Sequence, residues 1–303
     1  MSLVTGAIVR TLPLMPRALV WRVARRYVAG PTLADAVATV RRLNAEGAMA
    51  TVDVLGEEVT EAAKASAAVE EYVRALDAIV AERLDSNVSI KPTMFGLKID
   101  ERLCAENVER LVAAAREREV FVRIDMEDRT TTDFTLRLYR DLQARYGNVG
   151  VVLQAYMRRT LADVDGLPAT GANVRLCKGI YVEPREVAWK GYETVRGAFM
   201  AALEKLLARG VYTGIATHDE LLVAAGVALA DRLRVPRERH EYQMLLGVED
   251  ELRRILVARG HRLRVYVPYG GDWYLYSQRR MRENPAIAGH VMRAFLGLRP
   301  KAE

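Results

Sequence analysis

Near its C-terminal end the chain reads Tyr266-Val-Pro-Tyr-Gly-Gly-Asp-Trp-Tyr-Leu-Tyr-Ser-Gln-Arg279-Arg280-Met-Arg-Glu283. The pattern is that of a strand, a Gly-Gly turn and an aromatic helix bearing two adjacent arginines. Two guanidinium groups offer about ten N–H donors and two charges that stay on at any physiological pH. At the end of a barrel strand such a pair suits the grip of a small carboxylate in a fixed pose. A solvated basic helix is the plainer reading of Arg-Arg by itself, so the rest of the chain has to decide.

Other residues with chemical potential stand at the ends of short apolar runs. In order they are Asp53-Val-Leu-Gly-Glu57, Ser89-Ile-Lys91, Arg123-Ile-Asp125-Met126-Glu127 and Gln154-Ala-Tyr156. Then come Arg175-Leu-Cys-Lys178-Gly179-Ile180-Tyr181, Thr217-His218-Asp219 and Glu241-Tyr-Gln243-Met244-Leu245. If the third run continues as a strand, Asp125 and Glu127 share one face. Each has a dull explanation on its own: a lysine reaching for solvent, an aspartate capping a helix, a structural histidine. A whole series of polar strand ends is harder to dismiss, because one barrel mouth receives them all. There the cations Lys91, Arg175, Lys178, Arg279 and Arg280 outnumber Asp125, Glu127 and Glu283. That excess suits ligands with several negative charges, such as a phosphorylated cofactor together with a carboxylate substrate.

Eight short runs read as buried parallel strands: 48–54, 87–91, 120–125, 149–154, 173–178, 212–217, 240–244 and 262–267. Helical patterns alternate with them, at 57–84, 105–119, 134–146, 184–209, 219–233 and 248–259. Some open with acid or hydroxyl caps, as at Thr131-Thr132-Asp133, and some close on Gly147, Gly210 or Gly260. Strict alternation over eight strands predicts an α/β protein, a (β/α)8 TIM-type barrel over 47–303 after an N-terminal helical arm over 1–46.

Composition narrows the function classes. The formal charge of the 303 residues is +6, but the arginines are interspersed with acids, which argues against a nucleic-acid stripe. Cys104 and Cys177 have no metal spacing, and His218, His240, His261 and His290 show no i, i+4 pair. No metal is expected. Neither a Ser-His-Asp order nor a Gly-x-Gly-x-x-Gly turn after a strand is present. Ahead of Asp35 the chain carries Arg10, Arg17, Arg22, Arg25 and Arg26 and no acid. That stretch reads neither as a signal peptide nor as a membrane span, but as a basic amphipathic helix lying on a membrane or on the body of the protein.

Taken together, the ordered motifs from Asp53 to Glu283 resemble the flavin-dependent proline dehydrogenases, in the monofunctional bacterial form. The resemblance implies a (β/α)8 barrel with its final helix over the mouth, holding FAD. It implies oxidation of L-proline to Δ1-pyrroline-5-carboxylate, the first step of proline breakdown to glutamate, with electrons passed to a membrane quinone. By position, Arg279, Arg280 and Lys91 would hold the substrate carboxylate, Tyr181, Leu245 and Tyr266 would wall its ring, and Glu283 would orient the arginines. Met126, Gln154, Arg175, Lys178, Gly179, Ile180, Thr217 and His218 match FAD-contacting positions. Asp125 and Arg175 match the catalytic ones, and Glu57 matches a gate that pairs with the first arginine. Cys177 and Ile180 depart from the Val and Ala that the family often carries, which touches pocket shape. The resemblance further implies a cytoplasmic protein, peripheral on the inner membrane face, whose product passes to a separate pyrroline-5-carboxylate dehydrogenase. Two other readings stay open: a Schiff-base lyase or aldolase using Lys178 or Lys91, and a basic non-enzymatic binding protein.

Overall fold

The computed structural model describes residues 24–274 together with Trp21, Tyr276 and Ser277; Arg279, Arg280 and Glu283 lie outside the described residues. Eight strands, all parallel, close into a barrel in sequence order. They are β1 (Met49–Val54), β2 (Ser86–Ile90), β3 (Val122–Ile124), β4 (Val149–Gln154), β5 (Asn173–Cys177), β6 (Tyr212–Ala216), β7 (His240–Leu245) and β8 (Leu263–Tyr269). The ring closes where β1 meets β8, with Thr51 paired to Tyr266 and Val54 to Tyr269. Helix α1 (Leu33–Ala45) precedes β1, and α2 (Ala62–Ala81), α3 (Glu101–Glu117) and α4 (Thr132–Tyr146) follow the first three strands. After the next four come α5 (Thr160–Asp165), α6 (Tyr192–Ala208), α7 (Glu220–Arg232) and α8 (Asp250–Ala258). The predicted (β/α)8 barrel is the fold observed.

Local sequence explains the elements. Helix α2 buries Ala65, Ala68, Val69, Tyr72, Ala75, Leu76 and Ile79, the one-sided spacing that lays a helix on a sheet. Helix α4 ends on Gly147, whose φ of 75° places it in the left-handed region. Thr131 stands at the start of α4 without capping it, because its hydroxyl donates to the Asp128 carbonyl instead. Two predicted helices begin late. The segment before Ala62 contains Glu58 at a φ of 51°, which breaks a helix there. Residues 184–191 are held by neighbouring loops: Trp189 N–H donates to the Tyr156 carbonyl, and Ala188 bridges Met157. The short α5 carries too few residues for its period to stand out in the sequence.

Residues 24–30 pack on the body beside β8. Ala29 N–H donates to the Pro268 carbonyl, Gly270 N–H donates to Gly30, and the Trp21 and Trp273 rings meet edge-on at 4.7 Å. Helix α1 starts with a reciprocal Thr32–Asp35 capping box and buries Ala36, Val40 and Leu43 in the common core against β1 and β8.

Part of the barrel interior is polar. Arg123, Arg175, Glu241, Gln243 and Arg264 are all buried. Long side chains need room, and glycines on neighbouring strands leave it. A Cβ on Gly214 would come within 2.8 Å of Gln243 Cδ, and one on Gly150 within 2.7 Å of the Asn173 carbonyl and into the Arg123 guanidinium. Gly150→Ala is therefore expected to destabilise the fold by about 1–3 kcal/mol through overpacking. Chemical denaturation reads this directly, and unchanged stability would show that Arg123 has another place to go.

Candidate active site

The C-terminal ends of the strands open on a cavity of 720 Å³. Glu57, Lys91, Asp125, Met126 and Gln154 line it from the first four strand ends. Arg175, Lys178, Gly179, Ile180 and Tyr181 line it from β5 and its loop, Thr217 and His218 from beyond β6, Leu245 from β7 and Tyr266 from β8. Every predicted site residue among the described ones therefore meets in one cavity.

At its floor lies the Asp125 carboxylate. Oδ1 accepts from Ser89 Oγ at 2.7 Å and from Arg175 Nη1 at 2.7 Å. Oδ2 accepts from the Tyr266 hydroxyl at 3.2 Å and lies 3.6 Å from Lys91 Nζ. A carboxylate has about four lone-pair sites, and here each faces a donor or cation. So satisfied a group is a fixed charge and a template rather than an idle base.

Lys91 is held as firmly. Its Nζ donates to Asp53 Oδ1 at 2.9 Å and to the Tyr266 hydroxyl at 3.1 Å. Burial alone lowers the Lys91 ammonium, but the Asp53 and Asp125 carboxylates outweigh it and hold it well above the usual lysine range. A lysine kept charged in this way is a poor amine nucleophile, which counts against a Schiff base at Lys91. Asp53 is fully buried, and its Oδ2 has no partner among the described residues.

Arg175 crosses the barrel. Nη1 donates to Asp125 and, at 3.1 Å, to Ser89 Oγ, while Nε donates to Gln243 Oε1 at 2.6 Å. Gln243 Nε2 donates to Glu241 Oε1 at 2.6 Å. Glu241 is saturated by Arg264 Nε at 2.7 Å, Arg264 Nη2 at 3.1 Å and the Tyr212 hydroxyl at 2.7 Å. Burial by itself raises the Glu241 carboxyl, and Arg264 overrides it and brings it down to about 2.

A second charged group sits at the rim. Lys178 Nζ donates to Asp219 Oδ2 at 2.6 Å, and Arg196 Nε and Nη2 each reach that carboxylate at 2.8 Å. The Arg196 bonds chiefly hold the Asp219 carboxyl far below the usual range, against its partial burial. Arg196 Nη1 also donates to Glu193 at 3.0 Å, so Lys178 stands at the rim within a small ion-pair network. His218 Nε2 accepts the Leu245 N–H at 2.8 Å, which puts the proton of a neutral ring on Nδ1. Gly179 adopts a φ of 108°, and a Cβ there would fall within 2.7 Å of Tyr156 Cγ. Only glycine brings that stretch of backbone up to the cavity.

One expectation is corrected. Asp125 and Glu127 do not share a face, because β3 stops at Ile124. Glu127 turns away from the cavity, taking the Thr93 N–H at 2.9 Å and the Thr93 hydroxyl at 2.5 Å. The sequence places Ser89, Gln243 and Asp219 at strand ends without assigning them a role in the site, and it does not mark Arg196. The signal for Gln243 was its i, i+2 spacing from Glu241, since two polar residues on one strand face point to a wet interior. Asp219 and Arg196 meet from separate elements, and no local pattern links them. Among the described residues, no group of three or more His, Cys, Asp or Glu is placed to hold a metal. Nor is any helix among the described residues long and apolar enough to cross a membrane.

Fold and mouth together define a (β/α)8-barrel protein whose chemistry gathers around buried ion pairs at the strand ends. A profile of the family described as Proline dehydrogenase matches residues 36–293. The chain is 38% identical over 273 residues to Proline dehydrogenase 1 of Bacillus subtilis subsp. natto, covering 90% of each. It is 35% identical over 287 residues to the Proline dehydrogenase of Deinococcus radiodurans, covering 93% of each. The structure of proline utilization A from Bdellovibrio bacteriovorus shares the fold, with a TM-score of 0.82 at 21% identity. That match covers 96% of this chain and 38% of the longer protein. The chain belongs to the proline dehydrogenase family.

Glu127 gives a pH signature. Burial pushes its carboxyl up to about 7, against the two Thr93 bonds that lower it. Unfolded glutamate titrates near about 4.3. The stability tied to the neutral form is thus complete below that value and lost as pH rises through 7. Gln at this position stays neutral, so the Tm advantage of wild type over Glu127→Gln is expected to shrink from pH 5 to pH 8. An advantage that holds steady or grows would contradict the shift.

Proposed function

We propose that this chain is an FAD-dependent proline dehydrogenase that oxidises L-proline to Δ1-pyrroline-5-carboxylate. Its electrons go on to a membrane quinone, and its product goes to a separate pyrroline-5-carboxylate dehydrogenase. The observation that carries the reading is the Asp125-centred cluster at the floor of a cationic cavity, in a chain of this family.

The residues fit the cofactor. Arg175 and Lys178 bring two cations to the cavity, and the backbone at Gly179 approaches it without a side chain. The 720 Å³ of space lies in the range of sites that enclose a sizeable ligand. Met126, Gln154, Arg175, Lys178, Gly179, Ile180, Thr217 and His218 would hold FAD, which when bound supplies the acceptor for a hydride from the carbon beside the ring nitrogen.

This chain's own part is positioning and charge. Lys91 has three N–H donors: one goes to Asp53 and one to Tyr266, with Asp125 Oδ2 3.6 Å away, and the third would reach the substrate carboxylate. Arg279 and Arg280 complete that grip on the strength of their sequence positions, with Glu283 as their partner and Glu57 as the gate. Tyr181, Leu245 and Tyr266 wall the substrate ring and exclude water. A secondary amine gives up hydride only when it is neutral, and Asp53 and Asp125, already paired with Lys91 and Arg175, offer little to favour its protonated form. Arg175, with Asp125 as its anchor, stabilises negative charge that develops on the acceptor. We also propose the division into an arm, 1–46, and a catalytic barrel, 47–303, and a cytoplasmic site of action at the inner membrane face.

The test is an anaerobic spectrum of the FAD-loaded protein. L-proline is expected to bleach the visible flavin absorbance and D-proline to leave it intact. A protein that binds no flavin, or whose flavin L-proline fails to bleach, would overturn the reading. Borohydride trapping of a substrate on Lys178 would replace it with the lyase.

A further inference from the structure

Three buried side chains lie in line at the base of the cavity, which Arg175 and Gln243 line and Glu241 does not, and the donors and acceptors they carry permit one arrangement. Glu241 is ionised across the neutral range and can only accept. The amide of Gln243 must therefore turn its NH2 toward Glu241, which leaves its carbonyl oxygen toward Arg175. Arg175 Nε, which can only donate, is 2.6 Å from that oxygen. Nη1 is committed to Asp125 and Ser89. Nη2 is the one guanidinium nitrogen with no hydrogen-bond partner among the described residues, and Arg175 lines the cavity. The flat guanidinium is pinned on two of its three nitrogens, and the plane so fixed aims the third at the ligand space.

We propose that Gln243 is a positioning residue for Arg175, and that Glu241 is the buried anion that sets the orientation of the Gln243 amide. The inference rests on the reading of Arg175 as the group that faces the flavin. Neither Gln243 nor Glu241 touches substrate in this account; both act through Arg175. Gly214 belongs to the same device, because its missing side chain leaves the space that Gln243 occupies. A purely structural glutamine would need only to fill volume. A positioning one has to supply an acceptor at this point and in this direction.

The two roles separate with two variants of nearly equal volume. Gln243→Met keeps the bulk and removes the acceptor, whereas Gln243→Glu, kept protonated by the Glu241 carboxylate beside it, keeps both an acceptor for Arg175 Nε and a donor for Glu241. With Gln243→Met, proline-dependent flavin reduction is expected to slow roughly ten- to hundredfold, the range for one lost bond to a charged donor. KM should move less than about threefold, because the substrate-binding groups are untouched. The reduction potential of the bound flavin should fall, since Arg175 no longer favours the reduced form. Gln243→Glu should recover most of the rate. Arginine Nε–H resonances of the 15N-labelled protein give a reading independent of catalysis: the protected Arg175 signal is expected in wild type and lost in Gln243→Met. If wild type shows that signal but L-proline does not bleach its flavin, the functional reading fails and the positioning geometry stands. If Gln243→Met is folded and flavin-loaded with wild-type rate and potential, the positioning role is overturned. It is overturned as well if the Met and Glu variants lose activity equally while the Arg175 signal persists in both.

Discussion

One carboxylate holds this mouth together. Asp125 follows β3, and the groups around it come from β2 and its end (Ser89 and Lys91), from β5 (Arg175) and from β8 (Tyr266). A parallel barrel brings distant segments to one rim but does not by itself choose side-chain orientations. Here the anion does so, because each donor has a fixed destination. Charge balance follows from the same centre: Asp53 and Asp125 offset Lys91 and Arg175. At the rim, Lys178 and Arg196 meet on Asp219, and Arg196 also pairs with Glu193.

Such an interior is costly to build. Charges moved out of water cost several kcal/mol each unless paired and fully hydrogen-bonded. The barrel meets that demand with a continuous chain from Arg264 through Glu241, Gln243 and Arg175 to Asp125. Gly150 and Gly214 leave the space these long side chains need. An apolar barrel of the same size would fold on less, so the arrangement is best understood through the task of its upper end.

Much of this was legible in the sequence. Strands such as Val149–Gln154 are short apolar runs between helices, and the apolar spacing along α2 is plain. The strand-end residues from Lys91 to Tyr266 were visible because polar groups at those positions run against the hydrophobic pattern. The loops were harder. Residues 184–191 read as helix, yet Trp189 and Ala188 bond to the segment after β4, a contact between residues some thirty positions apart. Glu127 misled for a similar reason: its direction depends on where β3 stops and on Thr93, neither of which is local to it. The clasp of Arg196 on Asp219 and the path from Glu241 to Arg175 join separate elements, and only the closed barrel makes them neighbours.

The central claim is that Asp125 works as an anchor for Arg175 rather than as an independent base. A double-mutant cycle on kcat/KM with L-proline tests it most directly, using Asp125→Asn, Arg175→Lys and the pair. If the two act as one unit, the second substitution adds little to the first, and the coupling is about 1.5 kcal/mol or more. Effects that add to within about 0.5 kcal/mol would mean that the two residues act separately, and the account of this mouth would fall.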